Sequence, residues 1–246
     1  MVLREQDAKQ TDCLKAIIFD FDGVLADTEP LHLQGFQTVL AEHDIQLSND
    51  DYGCHYVGLS DTDCFQAIFT AHRRELPTPE LDRLVRRKSA WMLQVMQSGD
   101  TLIPGVAEFV TRLVPQYRLA VASCALRDEI VFSLQVAGLL DAFEVIAAAE
   151  DVPTGKPNPA VYLHALNRMK SNGPLVSGAC LAIEDTPLGI QAAQRAGLKC
   201  LAVATTLSSH ALTMADAIVP SISQCDFPAV VRRLWKGSDA FDVTSA

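Results

Sequence analysis

Apolar and polar positions follow two rhythms along this chain. Ala16-Ile17-Ile18-Phe19 is a short, unbroken apolar run that ends in acids. That is the pattern of a strand buried on both faces, and it predicts a strand over 15–21. From 31 to 98 apolar residues recur at helical spacing instead, predicting helices over 31–43, 61–72 and 79–97. Pro77-Thr78-Pro79 marks a boundary there, with Thr78 placed to cap the last helix and Pro79 in its first position. After Pro104-Gly105 the two rhythms alternate: helix 105–114, strand 117–122, helix 127–137, strand 143–147, helix 159–169, strand 180–184, helix 187–196, strand 199–204, a short strand at 217–219, and helix 227–235. Strands alternating with helices imply a doubly wound, mostly parallel α/β (Rossmann-like) sheet covered on both faces. The expected organisation is an α/β core over 1–30 and 100–235, interrupted by a helical insert at 31–99, with a polar tail at 236–246.

Composition narrows the function classes. With 49% hydrophobic and 20% charged residues in 246, the chain can bury a substantial core and is not of the disordered class. A net charge of −10 argues against a sequence-independent grip on nucleic acid. No apolar run approaches the ~20 residues that span a bilayer, and the polar N-terminus lacks the apolar stretch of a signal peptide. Seven cysteines, without C-x-x-C spacing, suit buried free thiols. A cytoplasmic, monomeric protein with no membrane or nucleic-acid partner is expected.

Ligands of doubly wound sheets gather beyond the carboxyl ends of the strands, so the residues placed there carry the functional reading. The first strand ends in Asp20-Phe21-Asp22, the second in Ser123, and the fourth in Glu184-Asp185. The third leads to Gly155-Lys156-Pro157-Asn158-Pro159, where Pro157 biases Lys156 towards an extended backbone. Four carboxylates converging on one rim repel one another unless a hard divalent cation lies between them, and Mg²⁺ suits such an oxygen set better than zinc. Lys156 and Ser123 would supply a point charge and a hydroxyl to phosphate oxygens. Together these groups describe a phosphoryl-transfer site with one carboxylate as nucleophile and another as acid and base.

In order and spacing, Asp20-x-Asp22-Gly-Val, Ser123, the lysine of G-K-P-N-P and the run I183-E-D-T-P-L-G-I-Q-A-A193 resemble the four motifs of the haloacid dehalogenase superfamily over about 15–235. The insert resembles the helical C1 cap of the subgroup containing β-phosphoglucomutase, phosphoglycolate phosphatase and sugar-phosphate phosphatases. The resemblance implies Asp20 as nucleophile, Asp22 as general acid/base, and Ser123 and Lys156 as phosphate ligands. It also implies Mg²⁺ bound by Asp20, Glu184, Asp185 and the Asp22 carbonyl. A carboxylate at 22 favours an alcohol leaving group over dehalogenation.

The expected activity is therefore a Mg²⁺-dependent phosphatase of small phosphorylated metabolites, sugar phosphates foremost, working through an aspartyl-phosphate. A β-phosphoglucomutase-like phosphosugar mutase is the alternative, supported by Thr28 and His32. Against it, the cap loop V57-G-L-S-D61 carries an acid where the mutase has an arginine, and S123-C-A-L126 is apolar before Arg127. A phospho-aspartate signalling module is a distant third reading. His32, His55, Tyr56, Leu59, Asp61 and Arg127 are the candidate substrate-facing residues, and Asp27 and Glu29 are assigned to the hinge or the surface. Hinges are expected near Thr28–Pro30 and Gly99–Pro104.

Overall fold

The computed structural model of the chain describes residues 13–97, 99 and 101–235; the tail expected from 236 lies outside them. Six strands form one parallel sheet: β1 (Ala16–Phe19), β2 (Arg118–Ala122), β3 (Val145–Ala147), β4 (Cys180–Glu184), β5 (Lys199–Val203) and β6 (Ala217–Val219). Their order is β3-β2-β1-β4-β5-β6. The winding direction reverses between β1 and β4, which opens a crevice at the carboxyl ends of those two strands. Register brings Phe19 beside both Val121 and Ile183, so the three strands that end in predicted site residues finish level with one another.

Successive β1 residues feed opposite faces of the sheet, as the strand period requires. Ile17 and Phe19 pack with Phe109, Val110, Ile130, Leu134 and Phe227, from helices α5 (Val106–Leu113), α6 (Arg127–Val136) and α9 (Phe227–Trp235). Ala16 and Ile18 pack with Val161, Tyr162, Ile190 and Ala193, from α7 (Ala160–Ser171) and α8 (Pro187–Arg195). Each Ile or Phe buried this way stabilises the fold by roughly 1.5–3 kcal/mol.

The remaining helices, α1 (Glu29–Leu40), α2 (Asn49–His55), α3 (Asp61–Ala71) and α4 (Thr78–Met96), enclose a third core around Phe36, Tyr52, Phe65, Ile68 and Leu84. Two chain crossings join this cap to the sheet domain, and they are tied together. Asp27 N–H donates to Thr101 O at 2.8 Å, and Ile103 N–H to Leu25 O at 3.0 Å. Helix α4 packs along α1 and α3 and also meets α6 of the core.

Two sequence expectations need correction. The 49–55 segment, to which the apolar pattern assigns no element, is a helix: Ser48 caps it by accepting from Asp51 N–H at 3.0 Å. Only Tyr52 in it is buried, so it shows no apolar period to detect. Helix α4 begins at Thr78 itself, with Pro77 in the cap position at ψ 145. Proline's fixed φ suits that extended-to-helical junction, and Thr78 makes no side-chain cap.

Candidate active site

The ladder continues one residue past β1, where Asp20 N–H donates to Ile183 O at 2.9 Å. The chain then folds tightly around the Phe21 carbonyl, which accepts from the amides of Val24, Leu25 and Ala26. Gly23 makes this loop possible at φ 70, and a Cβ there would collide with the Asp185 carboxylate. A Cβ at Gly189, in the first turn of α8, would likewise collide with Glu184. Two glycines thus let the acids at the end of β4 close in on the loop after β1.

Asp20, Glu184 and Asp185 come together there, each buried, with one carboxylate oxygen apiece within 4.8 Å of the others. Lys156 Nζ lies 2.7 Å from both Asp20 Oδ2 and Glu184 Oε1. Lys156 is thus ion-paired with two of the three acids. Burial opposes the Lys156 charge, but Asp20 and then Glu184 more than compensate and hold its pKa above the usual lysine range. Glu184 Oε1 also accepts from Tyr162 OH at 2.5 Å, and its Oε2 from Asp185 N–H at 3.3 Å. Asp185 has no such support: neither carboxylate oxygen has a hydrogen-bond partner, although Thr206 lies near. Burial, then Asp20 and Glu184, push Asp185 well above its ordinary pKa. Burial and Glu184 push Asp20 up to about 8 while Lys156 pulls it back. One lysine does not balance three buried acids, and unpartnered carboxylate oxygens facing each other fit a divalent cation.

Asp22 is held apart from this cluster. Its Oδ1 accepts from Thr28 Oγ1 at 2.5 Å and lies 3.2 Å from His32 Nε2. Burial raises its pKa, but His32 and Thr28 outweigh that and keep it below the usual range. Behind His32 stands Lys88, 0% exposed, with Nζ 2.7 Å from His32 Nδ1 and 2.5 Å from Asp61 Oδ1. Asp22 draws a proton towards His32 and raises its pKa. An imidazolium, however, would point an N–H at the Lys88 ammonium. The 2.7 Å approach leaves room for one proton between Nζ and Nδ1, so Lys88 and His32 carry one positive charge between them, with Nε2–H donating to Asp22.

Glu129, on α6, closes the group from the core side. It is 1% exposed, and its Oε1 has no hydrogen-bond partner. Burial pushes its pKa up to about 7, with Lys88 and His32 opposing the rise and Asp61 and Asp22 adding to it. The folded protein therefore keeps this proton to higher pH than the unfolded chain, whose glutamate titrates near 4.5. Ionisation between those values removes stability as pH rises. Glu129→Gln is expected to be more stable than wild type at pH 8 by about 1–3 kcal/mol, the gap closing as pH falls towards 4.5. Urea denaturation across that range checks it; a less stable variant at pH 8 would sink the assignment.

The cavity at this rim is lined by Asp20, Asp22, Ser123, Cys124, Lys156, Asp185 and Thr186 from the core, and by Glu29, His32, Phe36, Tyr52, Gly58, Leu59 and Asp61 from the cap side. Ser123, 1% exposed, accepts from Ala125 N–H at 3.0 Å, which leaves its hydroxyl proton to donate. The cavity volume is only about 20 Å³, room for a water but not for a phosphate ester. His55 is exposed at the end of α2 and does not line the cavity, nor does Tyr56. Arg127 also stays outside, donating to Ile146 O at 3.0 Å and to Asp151. Asp61 does line it, neutralised by Lys88. Glu29, assigned from sequence to hinge or surface, is half-buried in the cavity wall, and its Oε2 accepts from Tyr52 OH at 2.7 Å.

Sequence reasoning missed Glu29, Tyr52, Lys88 and Glu129. A signal existed for Lys88: it falls in the buried stripe Leu84–Lys88–Met92–Met96 of α4, where a lysine needs a reason.

Comparison with known proteins agrees with this geometry. The family described as haloacid dehalogenase-like hydrolase matches residues 17–203. The chain is 34% identical over 232 residues to protein CbbY of Rhodobacter capsulatus, covering 88% of this chain and 97% of that one. It is 30% identical over 189 residues to hexitol phosphatase B of Escherichia coli, covering 76% and 82%. It is also similar to the crystal structure of a CbbY variant from Rhodobacter sphaeroides in complex with xylulose-1,5-bisphosphate, with TM-score 0.78 and 27% identity over 89% of this chain and 99% of that one. Among the described residues no helix is long and apolar enough to cross a membrane. With the motif residues at the ends of adjacent parallel strands and the match running through all of them, the chain belongs to the haloacid dehalogenase-like hydrolases.

Proposed function

We propose that this protein is a Mg²⁺-dependent phosphatase of small phosphorylated sugars, acting through an aspartyl-phosphate on Asp20. The observation that carries the reading is the unequal treatment of two neighbouring acids. Asp20 sits in a cation-seeking cluster with Lys156 and Asp185, whereas Asp22 is fastened to Thr28 and His32 with its carboxylate kept for protons. Nucleophile and acid/base are different jobs, and these environments separate them.

Asp20, Asp185, Glu184 and the Asp22 carbonyl would hold Mg²⁺, with Asp185 the freer carboxylate because Glu184 already serves Lys156 and Tyr162. Bound there, Mg²⁺ would neutralise the cluster and the phosphoryl oxygens. Lys156 and Ser123 orient the phosphoryl, and an Asp20 oxygen attacks phosphorus as the ester oxygen departs. The incoming negative charge raises the pKa of Asp22, which Thr28 and His32 aim, so that it donates a proton to the departing alkoxide. Asp22 then takes a proton from the water that attacks the aspartyl-phosphate and releases inorganic phosphate. Closure of the cap excludes other water until then.

The name of hexitol phosphatase B and the bisphosphate in the CbbY structure both support a phosphorylated sugar as the substrate class. Purified protein is expected to release inorganic phosphate from a panel of sugar phosphates with Mg²⁺, and to stop when EDTA is added. A panel-wide absence of Mg²⁺-dependent release would overturn the reading.

A further inference from the structure

The basic groups around the cavity are few, and each is engaged. Among the described residues that line it, only Lys156 and His32 can carry positive charge. Lys156 is shared between Asp20 and Glu184, and His32 between Asp22 and Lys88. A second cleft of about 90 Å³ runs on from the first, between the start of α3 and the loops after β2 and β3. Its charged lining groups are Asp61 and Asp63, and no basic side chain is among the residues that line it. Lys88 neutralises Asp61 but is itself wholly buried, and Arg127 points away to Asp151 and Ile146 O.

Opening the cap does not release Lys88, Lys156 or Arg127. Lys88 and Asp61 both belong to the cap, while Lys156, Asp20 and Glu184 all belong to the core, as do Arg127 and Asp151. Each of these pairs lies within one body and travels with it, whereas His32, on α1 of the cap, meets Asp22 of the core across the boundary. The leaving-group side instead offers hydrogen-bonding groups: Glu29, with Oε2 engaged by Tyr52 and Oε1 left to accept, and the Tyr52 phenol.

Resting on the phosphatase reading, we infer that this site takes sugars bearing a single phosphate on an otherwise uncharged polyhydroxyl body, and rejects a second phosphate or a carboxylate. A second anion would meet Glu29, Asp61 and Asp63 in a desolvated cleft whose lining holds no lysine or arginine beyond the Lys156 that serves the first phosphate, and like charges brought together in this way oppose binding strongly. Hydroxyls, in contrast, can donate to Glu29 without any charge to compensate.

The test uses three compounds that differ only at the far end: glucitol 6-phosphate, 6-phosphogluconate and glucitol 1,6-bisphosphate. The kcat/KM for phosphate release with Mg²⁺ is expected to be at least about tenfold higher for glucitol 6-phosphate than for either anionic analogue. Equal or better turnover of an analogue overturns the inference. Calorimetric affinities of the same compounds for the Asp20→Asn protein rank them without turnover, so failed catalysis and a failed inference are distinguished. Asp61→Asn, which leaves Lys88 without its carboxylate, is expected to narrow the gap between mono- and bisphosphate severalfold. An unchanged gap would overturn the part assigned to the cap acids.

Discussion

Asp20→Asn is expected to lower phosphate release by at least about 10³-fold while leaving the fold intact. The amide keeps the shape that Phe21 N–H and the β1 terminus require, since Asn Oδ1 can still accept the 2.7 Å bond from Phe21. It cannot attack phosphorus, and it takes one negative charge from the cluster. Lys156 keeps its second partner, Glu184 at 2.7 Å, so no buried cation is stranded. Stability is expected to hold or rise, because Asp20 is buried beside two other acids and its charge is costly there. Phosphate release, a urea denaturation curve and intact mass after brief substrate exposure read the three parts separately. Wild type is expected to show a transient phosphoryl adduct and the variant none. An active, stable Asn variant would move the nucleophile elsewhere.

That experiment concerns the portion of the site that could be read from sequence. Uniform apolar runs at 16–19, 119–122 and 180–183, too short for helices and alternating with helical segments, read as buried strands, and right-handed parallel winding places their carboxyl ends on one rim. Whatever follows each run is therefore gathered without any need to know the packing in detail, and Asp20, Ser123, Glu184 and Asp185 were legible for that reason. Lys156 was legible through its loop, between Gly155 and Pro157.

The cap was legible as helices but not as a surface. Helical period tells which side of α4 is buried, yet Lys88 occupies that side as a charge, and only the meeting of α1, α3 and α4 shows why. Glu29 and Tyr52 are 23 residues apart, and nothing in either neighbourhood announces their hydrogen bond. Glu129 lies in a first turn that already has Asp128, where acids are expected for the helix dipole alone. His55 and Arg127 were placed at the site by proximity to motif residues. In the fold, one ends a short helix in solvent and the other is drawn off by Asp151 and the Ile146 carbonyl.

Asp22→Ala separates proton transfer from nucleophilic attack. With alkyl substrates such as sugar phosphates the departing alkoxide is strongly basic, and loss of the acid is expected to cost about 10²–10⁴ in kcat. With p-nitrophenyl phosphate the departing phenolate needs no proton, so formation of the aspartyl-phosphate is expected to fall far less. Its hydrolysis still requires a base, because water must lose a proton as it attacks. The variant should therefore show a burst of p-nitrophenol followed by slow turnover, with phosphorylated protein accumulating on Asp20. The Thr28 and His32 contacts to Asp22 Oδ1 bear on the same point: in the proposed mechanism those residues aim a carboxylate at the leaving group and the water, not at the phosphorus. Removing them would then slow both half-reactions in proportion to the mis-aimed fraction, and His32→Gln is the milder case because its amide can still donate. Equal losses on the sugar phosphate and on p-nitrophenyl phosphate, with no burst, would refute a proton-transfer role for Asp22 and leave it a structural anchor for the loop that Gly23 turns.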